Sequence, residues 1–418
     1  MALHVMDEAN RCLQCKKPFC RDGNPTKPEK DGCPIRTNIP EVIRLFKENK
    51  LDEAGKLLFD NNPLSLVCSL VCDHESQCEG SCVLNHKGVP VHFSTIEHYI
   101  SDLYSQKMQV VPAPSNGIRV GIIGSGPAGI TIAIILSQMG YQVTIFESKE
   151  KIGGVLRYGI PAFRLPHSIL ENIEQRQLID RGVKIRPNTL IGGAIGLDDL
   201  FNDGYKAIFV GTGVWKPNAL KIKGETFGHV HYGINYLNSP DSFRLGKRVI
   251  VIGAGNAAMD VARTALRKGV EHLTCFSITS EVAASHYEFS YAQLEGVHFA
   301  YNKRPVEITD EGVIFIDVTQ DEAGDFIDVA GTQALHLADS VIVSISQGPQ
   351  NNLVKTTKGL EANQRGLLTT DDLGHTSRAG VFASGDVVRG ARTVVEAVAH
   401  SKVVAKAMHE YMQSLPKA

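Results

Sequence analysis

Eight of the chain's nine cysteines fall between Cys12 and Cys82. The first block reads Cys12-x2-Cys15-x4-Cys20-x12-Cys33, with Pro34 directly after it. The second reads Cys68-x3-Cys72-x5-Cys78-x3-Cys82. So many thiols in so short a span exceed what packing needs, and they meet the ligand demand of two cubane iron–sulfur clusters. Two four-cysteine zinc sites are the competing reading, and Cys12-x2-Cys15 is a legitimate zinc half-site. The x4, x12, x3 and x5 spacings, however, do not form paired zinc knuckles. Cys275, alone in the run HLTCFSI, reads as a small buried residue.

The N-terminus, MALHVMDEANRC, has no apolar signal core, so a cytoplasmic chain with metal-binding rather than disulfide-bonded cysteines is expected. A formal net charge of -2 argues against a nucleic-acid or membrane-surface partner. No uninterrupted apolar run is long enough to span a bilayer. Residues 1–110 read as helical. Ile39, Val42, Ile43, Leu45 and Phe46 keep a helical apolar spacing, and Ala54, Leu57 and Leu58 begin a second face. Ser94-Thr95-Ile96-Glu97 has the form of a capping box that opens a last helix through Tyr104. The proline-rich stretch Val110 to Gly117 reads as a linker.

A β-rich run, Arg119 to Gly124, then enters Gly124-Ser125-Gly126-Pro127-Ala128-Gly129 and an apolar helix, followed by a second strand ending in Glu147. Strand, glycine turn, helix, strand and acid form the dinucleotide fingerprint in its full context. The pattern returns at Arg248 to Gly253-Ala254-Gly255-Asn256-Ala257-Ala258 and a strand through Phe276. Two such units imply two nucleotides. Near the C-terminus, Val381 to Ser384 reads as a strand running into Gly385-Asp386, with a helix from about Val394. The expected class is α/β, with two Rossmann-type dinucleotide-binding domains of the glutathione reductase kind behind an α-helical iron–sulfur domain. The expected bounds are 117–240 and 341–418 for the flavin domain and 241–340 for the nicotinamide domain.

The stretch Gly153-Gly154-Val155-Leu156-Arg157-Tyr158-Gly159-Ile160-Pro161-Ala162-Phe163-Arg164-Leu165-Pro166 resembles a signature of glutamate synthase small subunits. The flavin-and-cluster half of dihydropyrimidine dehydrogenase carries a similar run, and the cysteine domain resembles both. Over NPLSLVCSLVC the second likeness is the closer, which points to the small subunit of the two-subunit bacterial form. The resemblance implies FAD on Gly124, Gly126, Pro127, Ala128, Gly129, Glu147, Gly154, Arg164, Gly385, Asp386, Thr393 and Val394. It implies NADH on Gly253, Gly255 and Asn256. It also implies that ligation crosses between the cysteine blocks. Cys12, Cys15, Cys20 and Cys82 would hold one 4Fe-4S cluster, and Cys33, Cys72 and Cys78 the other. The position aligned with the family's fourth ligand to the second cluster is Glu97. That residue reads equally as the end of the capping box, and Cys68 is a further candidate.

The chain departs from these relatives in two places. The spacing from Cys20 to Cys33 is longer, and its extra residues RDGNPTKPEKDG read as a surface loop. Where NADPH-specific relatives carry an arginine pair, this chain reads Ser277-Ile278-Thr279, so NADH is expected. Arg263, Arg267 and Lys268 read as the solvated face of the preceding helix. The implied activity is electron input from NADH through FAD and two 4Fe-4S clusters to a partner. An FMN-barrel pyrimidine-reducing subunit is expected, with a glutamate synthase large chain, another reductase or a ferredoxin as alternatives. A free-standing flavin disulfide reductase is disfavoured, since Lys247 to Asp339 holds only Cys275.

Overall fold

The computed structural model describes residues 2–25 and 31–416. It divides into two compact units. The first comprises residues up to Arg157, Ala162–Val214 and Pro349 onward; the second comprises Tyr158–Pro161 and Trp215–Gly348.

The first unit begins with helices α1 (Ala2–Asn10), α2 (Ile39–Lys47), α3 (Leu51–Asn61), α4 (Ser65–Val71) and α5 (Phe93–Lys107). Val42, Ile43 and Phe46 of α2 and Ile96 and Ile100 of α5 meet in one core, and Cys12, Cys20, Cys33 and Cys82 pack against it. Each of those apolar side chains contributes roughly 1.5–3 kcal/mol by leaving water. Ser94 does not cap α5. The cap position is His92, and no side chain of the segment makes the capping bond. The buried carboxylate of Glu79 takes that role from a distance, accepting from the Ser94 amide at 2.8 Å. Within the long Cys20–Cys33 segment, residues 26–30 lie outside the described residues. Its two ends do meet: a Cβ on Gly32 would lie 2.4 Å from the Gly23 nitrogen, and both glycines have positive φ. The insertion therefore closes on itself.

After a coil at 108–116 come β1 (Arg119–Ile123), α6 (Pro127–Gln138), β2 (Gln142–Phe146), β3 (Lys184–Arg186) and β4 (Tyr205–Val210). With a later strand, β14 (Val381–Ala383), they form a parallel sheet in the order β14-β4-β1-β2-β3. β1 is buried along nearly its whole length because both faces of the sheet are covered. The last helix, α9 (Val394–Ser414), packs along α6 and also reaches α4.

The second unit repeats the plan. β5 (Val230–Tyr232), β6 (Arg248–Ile252), α7 (Asn256–Arg267), β7 (His272–Phe276), α8 (His286–Leu294), β8 (His298–Ala300) and β13 (Ser340–Val343) build a parallel sheet ordered β5-β13-β6-β7-β8. An antiparallel sheet of β9 (Lys303–Thr309), β10 (Gly312–Gln320), β11 (Phe326–Asp328) and β12 (Ala334–Leu337) lies between β8 and β13 in the chain. The parallel sheet thus draws in β5 and the end of β13, beyond the bounds 241–340. Among the described residues, no helix is long and apolar enough to cross a membrane.

Arg263 is not part of a solvated face. It is buried, with Nη1 2.9 Å from Glu288 and Nη2 2.9 Å from Glu295 of the next helical segment. Arg267 joins the same Glu295 at 2.7 Å. Removing one partner of a buried pair strands a charge. Arg263→Met is expected to destabilise the second unit by about 3–5 kcal/mol, measured by denaturant unfolding, while the exposed Arg267→Met costs under about 1 kcal/mol.

Candidate functional site

Cys12, Cys15, Cys20, Cys78 and Cys82 line one pocket, walled by apolar side chains that include Ile39, Ile43 and Phe93. Four of them are the thiols expected to share a cluster, and the fifth, Cys78, is one expected on the other. Burial, and then the neighbouring Cys82, Cys12 and Cys15 sulfurs, push the Cys20 thiol up to about 12. Burial also raises Cys12. Gln14 sits between Cys12 and Cys15 with φ +50° and directs its side-chain amide to the Cys12 sulfur at 3.7 Å. Sulfurs that are buried together and supplied with N–H donors suit thiolates on a cationic iron core.

A second cluster of groups joins Cys33, Cys72, Cys78 and Glu97. Burial raises Cys78 well above the usual thiol value, and Cys33, Glu79 and Glu97 add to it. Cys72 is raised through its hydrogen bond with Cys68, by burial, and by Glu97 and Cys78. Glu97 is 5% exposed, and burial holds its carboxyl well above the carboxylate range, with Cys68 and Glu79 contributing. It lies within electrostatic reach of Cys33, Cys72 and Cys78. Cys68 instead shares a hydrogen bond with Cys72 one turn along the helix. His74, two residues past Cys72, keeps its Nε2 buried with no hydrogen-bond partner. Such an orphaned atom fits a group that supplies acceptor sulfurs. Among the described residues, no three His, Cys, Asp or Glu side chains converge as the ligands of one metal ion do. Five of the thiols line one pocket rather than close on a point.

The first glycine turn has the shape a pyrophosphate needs. Gly124 has φ +95°, and a Cβ there would lie 2.6 Å from the Gly211 carbonyl oxygen, just past β4. A Cβ on Gly126 would meet nothing within 4 Å, leaving the turn open above the start of α6, which begins at Pro127 and runs through Ala128. A Cβ on Gly129 would lie 2.0 Å from the Gly124 carbonyl oxygen, so the helix packs directly on the strand. β1 and β4 bracket the point where the sheet order reverses, the usual crevice for a nucleotide. Gly154 and Gly385 close in from other loops. Their Cβ positions would approach Gly126 Cα at 2.8 Å and Ala128 Cβ at 3.1 Å. Burial raises Asp386 to about 6. Thr393 caps α9 in a capping box with Glu396 just before Val394, and Arg164 is half-buried. Glu147 is engaged with the turn itself. Its Oε2 accepts from the Ser125 amide at 2.9 Å and the Ser125 hydroxyl at 2.5 Å.

The second turn copies the first. Gly253 has φ +127°, with a Cβ position 2.2 Å from the Ser344 carbonyl oxygen past β13. Gly255 faces open space, and Asn256 opens α7 with its Oδ1 accepting from the Ser285 amide at 2.9 Å. Beyond β7, Ser277 and Thr279 join hydroxyls at 2.7 Å. Both glycine sets therefore fit dinucleotides. Sequence reasoning missed Ser125, Glu79 and His74. Their roles depend on contacts between distant segments and left no local pattern.

Residues 118–401 match the family described as pyridine nucleotide-disulphide oxidoreductase. Residues 2–109 match dihydropyrimidine dehydrogenase domain II, 4Fe-4S cluster. The glutamate synthase [NADPH] small chain of Escherichia coli is 30% identical over 97% of this chain and 91% of that one. The NAD-dependent dihydropyrimidine dehydrogenase subunit PreT of Salmonella typhimurium is 30% identical over 98% and 95%. Among solved structures, Mycobacterium tuberculosis FprA in complex with NADPH aligns at a TM-score of 0.60 and 16% identity, over 72% of this chain and 85% of that one. T. acidophilum thioredoxin reductase aligns at 0.56 and 22% identity, over 71% and 98%. These two likenesses establish the fold.

Two outcomes test the first glycine turn as the expected flavin site. Gly124→Ala forces a side chain into positive φ and against a carbonyl, so purified protein should lose most of its bound flavin, read from its visible absorbance. Asp386 has a folded pKa above its unfolded value of 3.8. Its stability contribution is full below about pH 4 and is lost as pH rises through about 6. Flavin-free protein should lose about 1 kcal/mol relative to Asp386→Asn between pH 5 and 7, measured by isothermal denaturation.

Proposed function

We propose that this chain, which belongs to the pyridine nucleotide-disulphide oxidoreductase family and to the family of the glutamate synthase small chains, is the NADH-oxidising input subunit of a larger reductase. It is an NAD(P)H-dependent oxidoreductase of the electron-transfer flavoprotein type with an N-terminal iron–sulfur domain. The observation that carries the proposal is the pairing of two dinucleotide-type glycine turns with a helical domain that gathers eight cysteines in one chain. The FAD site is assigned to the turn at Gly124 and the nicotinamide site to the turn at Gly253. The clusters are assigned to Cys12, Cys15, Cys20 and Cys82, and to Cys33, Cys72, Cys78 and Glu97. Bound flavin and clusters supply the exchange between a two-electron donor and one-electron carriers.

The chain's own residues do the rest. Backbone amides at the starts of α6 and α7 bind phosphates. The N-terminus of α9 sets partial positive charge towards the flavin. The apolar walls around Cys20 and Cys82 exclude water from the first cluster. An FMN-barrel catalytic subunit of the dihydropyrimidine dehydrogenase kind is the favoured partner, on the likeness to subunit PreT over nearly the whole chain. A glutamate synthase large chain is the second reading, on the equal identity to the small chain.

NADH is favoured over NADPH. A 2′-phosphate needs cationic donors beyond β7. There the chain offers the paired hydroxyls of Ser277 and Thr279. Arg263 and Arg267 are held by Glu288 and Glu295, and Lys303 is paired with Asp317. The kcat/KM ratio should favour NADH about ten- to a hundredfold, the worth of a charge-assisted pair, and equal values would refute the assignment.

Anaerobically purified protein should contain iron and acid-labile sulfide for two clusters. Cys12→Ser and Cys33→Ser should each lose mainly one cluster, and different ones. The isolated chain should reduce ferricyanide with NADH but should not turn over uracil, thymine, or 2-oxoglutarate plus glutamine. Robust turnover of any of these would sink the input-subunit reading.

A further inference from the structure

A continuous line of polar contacts runs from the last helix to the second group of cysteines. Lys402 of α9 donates through Nζ to the Asn61 backbone oxygen at 2.6 Å and to its Oδ1 at 2.9 Å. The Asn61 side-chain amide donates to Thr37 Oγ1 at 3.1 Å and to the Ile35 backbone oxygen at 3.3 Å. Thr37 Oγ1 lies 3.4 Å from the Cys33 sulfur. Lys402 is half-buried. Burial draws it below the usual lysine value, and the Cys33 sulfur is the group that counters this. No carboxylate pairs with it among the ion pairs of the described residues. Its charge is aimed at backbone, amide and sulfur.

We propose that Lys402 is a positioning residue that sets the reduction potential of the cluster held by Cys33, by charge and through the Asn61–Thr37 relay. The inference rests on the assignment of that cluster. The site already gathers negative charge from three thiolates and Glu97, and each added electron deepens it. A fixed cation nearby favours the reduced form. The relay also fixes the Thr37 hydroxyl beside the sulfur: the protonated thiol donates to Thr37 Oγ1, and a cluster-bound thiolate would instead accept from that hydroxyl, a hydrogen bond that raises cluster potentials. Lys402 stands eight residues after Val394, about 12 Å along the helix from its N-terminus. One rigid element thus joins the assigned flavin end to the assigned cluster.

The test is an EPR-monitored redox titration of the full chain carrying FAD and both clusters. Lys402→Met should make reduction of the Cys33-bound cluster about tenfold less favourable, about 59 mV for one electron. Lys402→Arg should recover most of the shift, and the Cys12-bound cluster should not move. Both clusters present with an unchanged potential in Lys402→Met would overturn the proposal. If that variant loses the cluster, Thr37→Val decides the matter. It leaves the lysine in place and should lower the same potential, and no change there overturns the relay. Wild-type protein with iron and sulfide for fewer than two clusters would sink the cluster assignment instead, a separate failure.

Discussion

The helical domain is organised around groups that its own core cannot satisfy. Burial drives Cys20, Cys78 and Glu97 towards their neutral forms, and the hydrogen bond with Cys68, then burial, does the same for Cys72. Each sulfur or carboxylate that ionised would raise its neighbours further. Only a cationic centre reverses that order, and the apolar walls that make ionisation costly then strengthen the attraction. Cys12, Cys20, Cys33 and Cys82 also pack on the main helical core, so the proposed ligation would be coupled to core packing. Glu79 shows the same economy. A single carboxylate accepts from the Ser94 amide and lies 3.2 Å from His92 Nδ1, tying the Cys78–Cys82 loop to the start of the helix that carries Glu97.

The two nucleotide units use backbone contact instead of charge. In both, the carbonyl just past a neighbouring strand occupies the space a side chain would need at the first glycine: Gly211 against Gly124, and Ser344 against Gly253. These approaches fix the turn at the reversal of strand order, where the parallel sheet leaves its crevice. The first unit differs in drawing Gly154 and Gly385 onto the same turn, so three separate stretches of chain share one phosphate-sized opening.

Much of this was legible in the residues. The glycine turns, the strand before each and the apolar face from Ile39 to Phe46 follow from local spacing, and each formed where expected. What failed depended on residues far away. Ser94 to Glu97 has the letters of a capping box, but Glu79 reaches those amides first. Arg263 has the spacing of a solvated face until Glu288 and Glu295 fold over it. The second parallel sheet also takes in β5, because parallel strands pair across long crossovers and β5 lies before the glycine turn that marks the unit. The crossed ligand sets were implied only by resemblance. Spacing alone could not say that Cys82 joins Cys12 in one pocket.

Glu147 holds a different lesson. Its two oxygens are taken by Ser125, Ser148 and the Lys149 amide, so the end of β2 is bolted to the glycine turn from within the protein. These bonds brace the turn from within, and bracing of that kind lowers the ordering cost of docking a ligand on it. The cysteines are the opposite case: burial resists the ionisation of Cys20 and Cys78, and their neighbouring sulfurs add to it. One chain thus carries a turn braced by its own carboxylate beside thiols that the protein itself leaves at odds with their surroundings.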